Sequence, residues 1–168
     1  MLIRREKPED IDRIRAVTAA AFSRRPQGEA ELVDRLRADE GWIPALSLVA
    51  EHDGEVVGHV ACTRAHIGEV PVLGLGPLSV HPDRQRSGVG KALVHSVLGA
   101  AQALAEKTVV LLGDPKYYSR FGFVLAEEFG IIPPVAEWAP HFQVRPLGTA
   151  AEVPSGEFRY AEPFSSLP

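Results

Sequence analysis

Seven consecutive residues carry the plainest chemistry in this sequence. Gln85-Arg86-Ser87-Gly88-Val89-Gly90-Lys91 lie between an apolar run over 70–80 and a stretch whose helical spacing puts Leu93, Val94, Val97, Leu98, Ala101 and Leu104 on one stripe. A helix N-terminus leaves several backbone N–H groups without partners, and glycines there let a phosphate come close to the backbone. The segment therefore reads as an anion site. Two nucleotide signatures fail on it. The phosphate loop of nucleoside triphosphatases needs glycine where Gln85 stands and Ser or Thr where Ala92 stands. The dinucleotide pattern started at Gly88 needs a small residue where Leu93 stands; started at Gly74, it meets Ser79 in place of its third glycine and a strand in place of a helix.

The remaining reactive residue types give less. Cys62 is the lone cysteine, which excludes an intrachain disulfide and a multi-cysteine zinc site; it lies in an apolar segment and reads as a buried structural thiol. The histidines at 52, 59, 66, 81, 95 and 141 lack paired metal-ligand spacing, and no metal is expected. His66, Glu69 and His81 flank the glycine-broken apolar run, and Glu127 and Glu128 follow a Phe-Gly-Phe segment. None has a diagnostic partner, so the sequence identifies no general base.

These residues need elements to position them. Residues 2–5 suit a short strand, and Pro8-Glu9-Asp10 opens a helix with Ile11, Ile14, Val17, Ala21 and Phe22 at helical spacing, its acidic first turn complementing the helix dipole. Pro26 and Gly28 break it, and Ala30, Leu32, Val33 and Leu36 mark a second amphipathic helix ending near Gly41. Strands over 46–50 and 56–62 flank Asp53-Gly54, a tight-hairpin signal. The run over 70–80 carries Gly74, Gly76 and Pro77; proline cannot donate to a sheet ladder, so this strand must be bulged or unpaired there. After the long helix, 109–112 reads as a buried strand. Asp114-Pro115 then caps a short helix over 116–120 that ends at Phe121-Gly122-Phe123. The proline-rich remainder offers weak strands at 142–145 and 158–160.

With 168 residues, 45% of them hydrophobic, the chain is sized for one domain around a single core. Eighteen basic against 22 acidic residues give a net charge of -4, which argues against a general grip on nucleic acid or an anionic membrane. The N-terminus is charged where a signal peptide would be apolar, and the apolar runs are too short to span a bilayer. A soluble, cytoplasmic protein is expected.

Gln85-Arg86-Ser87-Gly88-Val89-Gly90 resembles the Gln/Arg-x-x-Gly-x-Gly/Ala motif of the GNAT N-acetyltransferase superfamily, and Tyr118-Ser119-Arg120-Phe121-Gly122-Phe123 resembles its Tyr-x-x-x-Gly-Phe segment. The element order over 1–125 is similar as well. Leu-Gly-Pro-Leu-Ser-Val-His-Pro at 75–82 and Gly-Asp-Pro-Lys-Tyr-Tyr at 113–118 further resemble a YhbS-like bacterial subgroup. The resemblance implies a mixed α/β fold, a largely antiparallel twisted sheet flanked by helices, with a splayed and bulged central strand. It implies a single N-acetyltransferase domain over 1–168, of which 126–168 is the less typical part.

The resemblance also implies acetyl-CoA as co-substrate. Its pyrophosphate would lie on the loop opened by Gln85, against the backbone amides of Arg86, Ser87, Gly88, Val89, Gly90 and Lys91, and its pantetheine along Leu78, Ser79 and Val80. A bulge at Gly76-Pro77 frees N–H groups that can stabilise the oxyanion formed when an amine attacks the thioester. Tyr118 takes the family's general-acid position, with Tyr117 as rival. A phenol of pKa about 10 is protonated at neutral pH and can donate to a departing thiolate whose thiol has pKa about 8.5. The acceptor would be a primary amine on a small molecule or a peptide; no nucleic-acid or membrane partner is implied, and a homodimer is compatible. A sensor or interaction module that binds acyl-CoA without turnover is the alternative. The acceptor pocket is expected from the first two helices and the tail after Phe123, with Glu127, Glu128 and Glu137 at its mouth attracting a cation.

Overall fold

The structure, a computed structural model, describes residues 1–24 and 28–166, so the helix break expected at Pro26 lies outside the described residues. Strand β1 (Leu2–Arg5) leads into helices α1 (Ile11–Ala21) and α2 (Gly28–Arg37), then an antiparallel run of β2 (Trp42–His52), β3 (Glu55–Ile67) and β4 (Val70–Val80). Asp53 and Gly54 both take positive φ, 52° and 79°, the backbone of a primed two-residue turn whose twist matches its strands. β2 and β3 run well past the expected 46–50 and 56–62. Their extensions hold polar residues that pairing keeps in the sheet: Arg64 sits opposite Leu73, with its guanidinium 2.8 Å from Glu106.

Alternation along β2 decides which helix lies where. Leu46, Leu48 and Ala50 point to the face covered by α3 (Val89–Ala103), whose Leu93, Val94, Val97, Leu98 and Ala101 are buried there. Each of the Leu and Val side chains among them contributes roughly 1.5–3 kcal/mol of burial. Val49 points the other way, to Ile14 of α1 and Val33 of α2. Leu104, expected on the α3 stripe, is instead the C-cap residue and stands 46% exposed, because the buried stripe ends one turn earlier at Ala101. α2 ends at Arg37, short of Gly41, because the Asp39 carboxylate accepts from Gly41 N–H and closes a turn there.

α3 is the crossover between β4 and the parallel strand β5 (Thr108–Leu112). The two strands pair only at Leu73 with Val109 and Gly74 with Val110, and part beyond Gly74. On its other side, β4 pairs Leu75 with Cys62 and Leu78 with Val60, so three steps on β4 match two on β3. The extra residue is the expected bulge. It falls at Gly76-Pro77, where the peptide is cis and Gly76 has φ 140°.

Beyond β5, Asp114 caps α4 (Pro115–Tyr118) by accepting from Lys116 N–H at 2.9 Å. The helix is shorter than the expected 116–120, tightening into a 3₁₀ turn over Ser119–Phe121 that Gly122 ends at φ 86°. Then come β6 (Val124–Leu125), β7 (Ile131–Ile132), β8 (Phe142–Pro146) and β9 (Gly156–Arg159). β8 pairs with β5 and β6; β9 joins β7 to the end of β3. The resulting order, β1-β2-β3-β4-β5-β8-β6, is antiparallel at each pairing except β4 with β5. Tyr160, expected in the last strand, lies just outside it. Among the described residues no helix is long and apolar enough to cross a membrane.

A buried polar network ties β1, β2, β3 and α2 together. Arg37 donates to Glu6 at 2.7 Å, the Ser47 hydroxyl also donates to Glu6, and the fully buried His59 ring lies 2.8 Å from Ser47. Burial pushes the Glu6 carboxyl up, but hydrogen bonds from His59, Arg37 and Ser47 outweigh it and hold its pKa at about 2. Burial holds the His59 imidazole below its usual range, with Glu6 opposing.

Candidate active site

The loop after β4 is shaped by its own hydrogen bonds. His81 Nδ1 accepts from Asp83 N–H at 3.2 Å, the Gln85 side-chain amide donates to the Val80 carbonyl at 3.1 Å, and Ser87 donates to the Arg84 carbonyl. Arg86 and Gly88 both have positive φ, 64° and 90°, a backbone that gathers N–H groups into an anion-binding concavity. Gly88 caps α3 with no side-chain hydrogen bond, so the first amides of the helix are left to a ligand or solvent. A Cβ on Gly90 would come within 2.8 Å of the Tyr117 hydroxyl, so glycine there lets the two elements meet.

A cavity of about 440 Å³ opens at this loop. Of the predicted co-substrate residues, Leu78, Val80, Gln85, Arg86, Gly88, Gly90 and Lys91 line it, joined by Tyr117 and Arg120. Strand alternation turns the Ser79 side chain away, into a buried contact with the Thr18 hydroxyl at 3.1 Å. Ser87 is held by Arg84, and Val89 is buried in the core, so neither side chain is on the wall. These residues suit a phosphate-bearing ligand: basic side chains at the rim, an uncapped helix start, and a left-handed glycine with no atom within 4 Å of an added Cβ.

A second cavity, about 520 Å³, fills the gap where β4 and β5 part. It shares Phe22 and Leu78 with the first. Its other walls come from the β4 bulge (Leu75, Gly76, Pro77), from α2 (Glu29, Leu32), from Leu112, and from the tail (Trp138, Tyr160, Phe164). Leu112, expected to be buried, is 40% exposed because it borders this gap.

The adjacent tyrosines divide between the cavities. Tyr117 lines the first and Tyr118 the second, their rings perpendicular with centroids 4.9 Å apart. Arg120 lies 4.8 Å over the Tyr117 ring. Tyr118 packs so closely on Gly113 that a Cβ there would come within 2.5 Å of the ring. Burial, with a smaller push from Tyr117, raises the Tyr118 phenol well above its usual range; burial raises Tyr117 as well, against Arg120. Both phenols are protonated at neutral pH.

The acidic mouth expected from the tail is not there. Glu127 and Glu128 are exposed on a 3₁₀ turn over Ala126–Phe129, and Glu137 is exposed on the next; none lines either cavity. His66 and Glu69 sit at the far end of the β3–β4 hairpin from the bulge, and His81 is engaged by Asp83. The carboxylate that does line the second cavity is Glu29, which the sequence did not single out because an acidic residue in a first helical turn reads as a dipole complement. Cys62 is buried, and burial, with Glu106 adding to it, pushes its thiol far up, so it is inert. Among the described residues no three His, Cys, Asp or Glu side chains cluster as metal ligands would.

The pattern of the acetyltransferase (GNAT) domain matches residues 44–125. The N-acetyltransferase YjhQ of Escherichia coli K12 is 41% identical over 118 residues, 68% of this chain; the match spans 64% of YjhQ's own length. The N-acetyltransferase YhbS of the same strain is 40% identical over 129 residues, 75% of each chain. The crystal structure of E. coli YhbS in complex with CoA superimposes with a TM-score of 0.92 at 33% identity, covering 99% of this chain and 93% of that one. A GNAT family acetyltransferase from Brucella melitensis, solved with acetyl-CoA, is 38% identical with a TM-score of 0.81 over 97% of both chains.

Proposed function

The chain belongs to the GNAT acetyltransferase family, with acetyl-CoA as co-substrate, and from that premise we propose that it transfers the acetyl group directly to a primary amine. One observation carries the proposal: Phe22 and Leu78 form a wall common to a cavity with phosphate-binding chemistry and an apolar cavity holding a buried phenol. The phosphates take the backbone amides over 86–91, and the pantetheine passes Leu78 and Val80. The thioester carbonyl reaches the bulge at Gly76-Pro77, where the Gly76 N–H, on a residue outside the paired register, stabilises the oxyanion.

The amine enters from the other side and attacks the carbonyl carbon as a neutral nucleophile. The carbon–sulfur bond breaks, and Tyr118 gives its proton to the departing thiolate. A buried thiolate is a stronger base than one in water, which matches it to a phenol whose own pKa burial has raised. The buried Cys62 lines neither cavity and offers no acyl-carrying nucleophile, which supports direct attack. A sensor that never turned over would have no use for the acceptor cavity and its phenol.

Release of free CoA thiol with a panel of amines tests the reading. Tyr118→Phe should lower kcat by about 10²-fold, the usual scale for losing a general acid, while acetyl-CoA affinity stays within a few-fold. Tyr117→Phe should cost less. The reverse order would move the role to Tyr117.

A further inference from the structure

We infer that the buried hydroxyl pair of Thr18 and Ser79 positions the wall at which the two reactants meet, and so sets the rate of transfer. The inference rests on the acetyl-transfer reading and adds two positioning residues to it. Thr18 and Ser79 line neither cavity, and they are 0% and 1% exposed. Their hydroxyl oxygens lie 3.1 Å apart, joining α1 to β4 across 61 positions of sequence.

On the β4 side, the bulge sets which way each side chain points. Past it, Ser79 pairs with His59 in the ladder and turns to α1, while Leu78 and Val80 line the first cavity. On the α1 side, Thr18 is the last fully buried residue of the helix. The first half of α1 is held by Ile14 in its apolar cluster and by Arg13, which donates to the Val56 carbonyl at 2.9 Å. Its last turn is Ala19-Ala20-Ala21, three single methyls with little area to pack. Phe22 follows, and its N–H donates to the Thr18 carbonyl at 3.0 Å. Thr18 thus holds Phe22 through its backbone and the strand beside Leu78 through its side chain. Phe22 and Leu78 are the two residues common to both cavities.

A hydrogen bond suits this place because it fixes distance and direction, whereas two apolar groups of the same shape tolerate sliding. Its net worth to folding is small, since replacing both partners by apolar groups of like shape is nearly neutral. Its worth to transfer is larger. Attack needs the amine nitrogen and the thioester carbon in near-attack alignment, and a misplacement of about 1 Å can cost about 10²-fold in rate. The phosphate grip over 86–91 lies on another element and does not depend on the pair.

The test compares Thr18→Val, Ser79→Ala, the double variant and Thr18→Ser with the parent. Thiol release is measured with acetyl-CoA and 2-phenylethylamine, spermidine or a tetrapeptide with an N-terminal glycine, kinetics being taken with the amine the parent uses fastest. Each single variant leaves one buried hydroxyl unpaired and should melt several degrees lower; the double variant should melt close to the parent. In all three, kcat should fall by about tenfold while acetyl-CoA affinity, by calorimetry, stays within about threefold. Thr18→Ser keeps the hydroxyl and should keep kcat within about twofold. The decisive result is a double variant with parental melting temperature and reduced kcat. A double variant that recovers both would make the pair structural only and overturn the inference, as would Thr18→Ser losing as much kcat as Thr18→Val. No thiol release by the parent with any of the amines, while acetyl-CoA still binds, would instead overturn the acetyl-transfer reading, and this inference with it.

Discussion

On one side of Leu78 the cavity is shaped by backbone: an uncapped helix start, two residues at positive φ, and a loop held by local hydrogen bonds, nearly all within residues 78–91. On the other side the chain uses side chains gathered from Phe22 to Phe164. The first construction depends on glycines and on the geometry of one strand–loop–helix unit, and is indifferent to most side chains. The second changes with every residue on its wall. A co-substrate common to many enzymes suits the first, and an acceptor particular to one enzyme suits the second.

The sharpest way to break this contrast is Gly88→Asp. An aspartate at φ 90° carries both backbone strain, of about 1–2 kcal/mol, and a negative charge at the anion site. Acetyl-CoA affinity should fall by about 100-fold or more, about 2.7 kcal/mol, by calorimetry. Gly88→Ala carries the strain without the charge and should lose much less. A folded Gly88→Asp protein that binds acetyl-CoA normally would show that the loop does not hold the phosphates.

Trp138→Ala makes the complementary cut. It removes an aromatic wall from the second cavity, and the acceptor KM should rise about tenfold while acetyl-CoA affinity is unchanged. An equal loss in both affinities would mean that the cavities are not separable.

The Glu6–His59 network lies outside both cavities and should affect stability alone. Glu6 titrates at about 2 in the folded chain against an ordinary 4.5, so its contribution is complete above pH 4.5 and is lost as pH falls toward 2. His59 is held neutral below an ordinary 6.5, so the unfolded chain binds the extra proton first and stability also drops as pH falls through 6.5. The melting temperature should therefore decline by several degrees from pH 7 to pH 4, with and without acetyl-CoA. Glu6→Gln should flatten the portion below pH 4.5; an unchanged slope there would remove Glu6 as its source.

The smallest effect is expected from Glu127→Gln with Glu128→Gln. Both side chains are exposed and off the cavities, so acceptor rates and their salt dependence should change by less than about twofold.

The β4 loop and α3 were readable because their signals are contiguous: the glycines, the proline that must interrupt a ladder, and a stripe of apolar residues within fifteen positions. The Asp53-Gly54 turn and the Asp114 cap are likewise local devices. β6 and β7 were not readable, since two residues hold no period and their pairing lies with β8 and β9. The walls of the second cavity were hidden for the same reason. Trp138 sits in a 3₁₀ turn with a proline inside it, Tyr160 and Phe164 lie beyond the last strand, and Glu29 is indistinguishable in sequence from a dipole-complementing glutamate. Only the fold brings them together. Even where the strand was read correctly, alternation sent Ser79 to Thr18 and left its two neighbours on the cleft.

The wall shared by Phe22 and Leu78 has a kinetic signature. In direct transfer, reactants on either side of these two residues must both be in place before any bond changes, so neither product can leave before the second reactant arrives. Initial-rate lines drawn at several fixed concentrations of one reactant should then intersect, whereas an acyl-enzyme relay would give parallel ones. Occupancy on the two sides is also independent of order in space, so CoA and an unreacted amine can sit together. That pair is a dead-end complex, and it should appear as inhibition by the acceptor at high concentration once CoA accumulates.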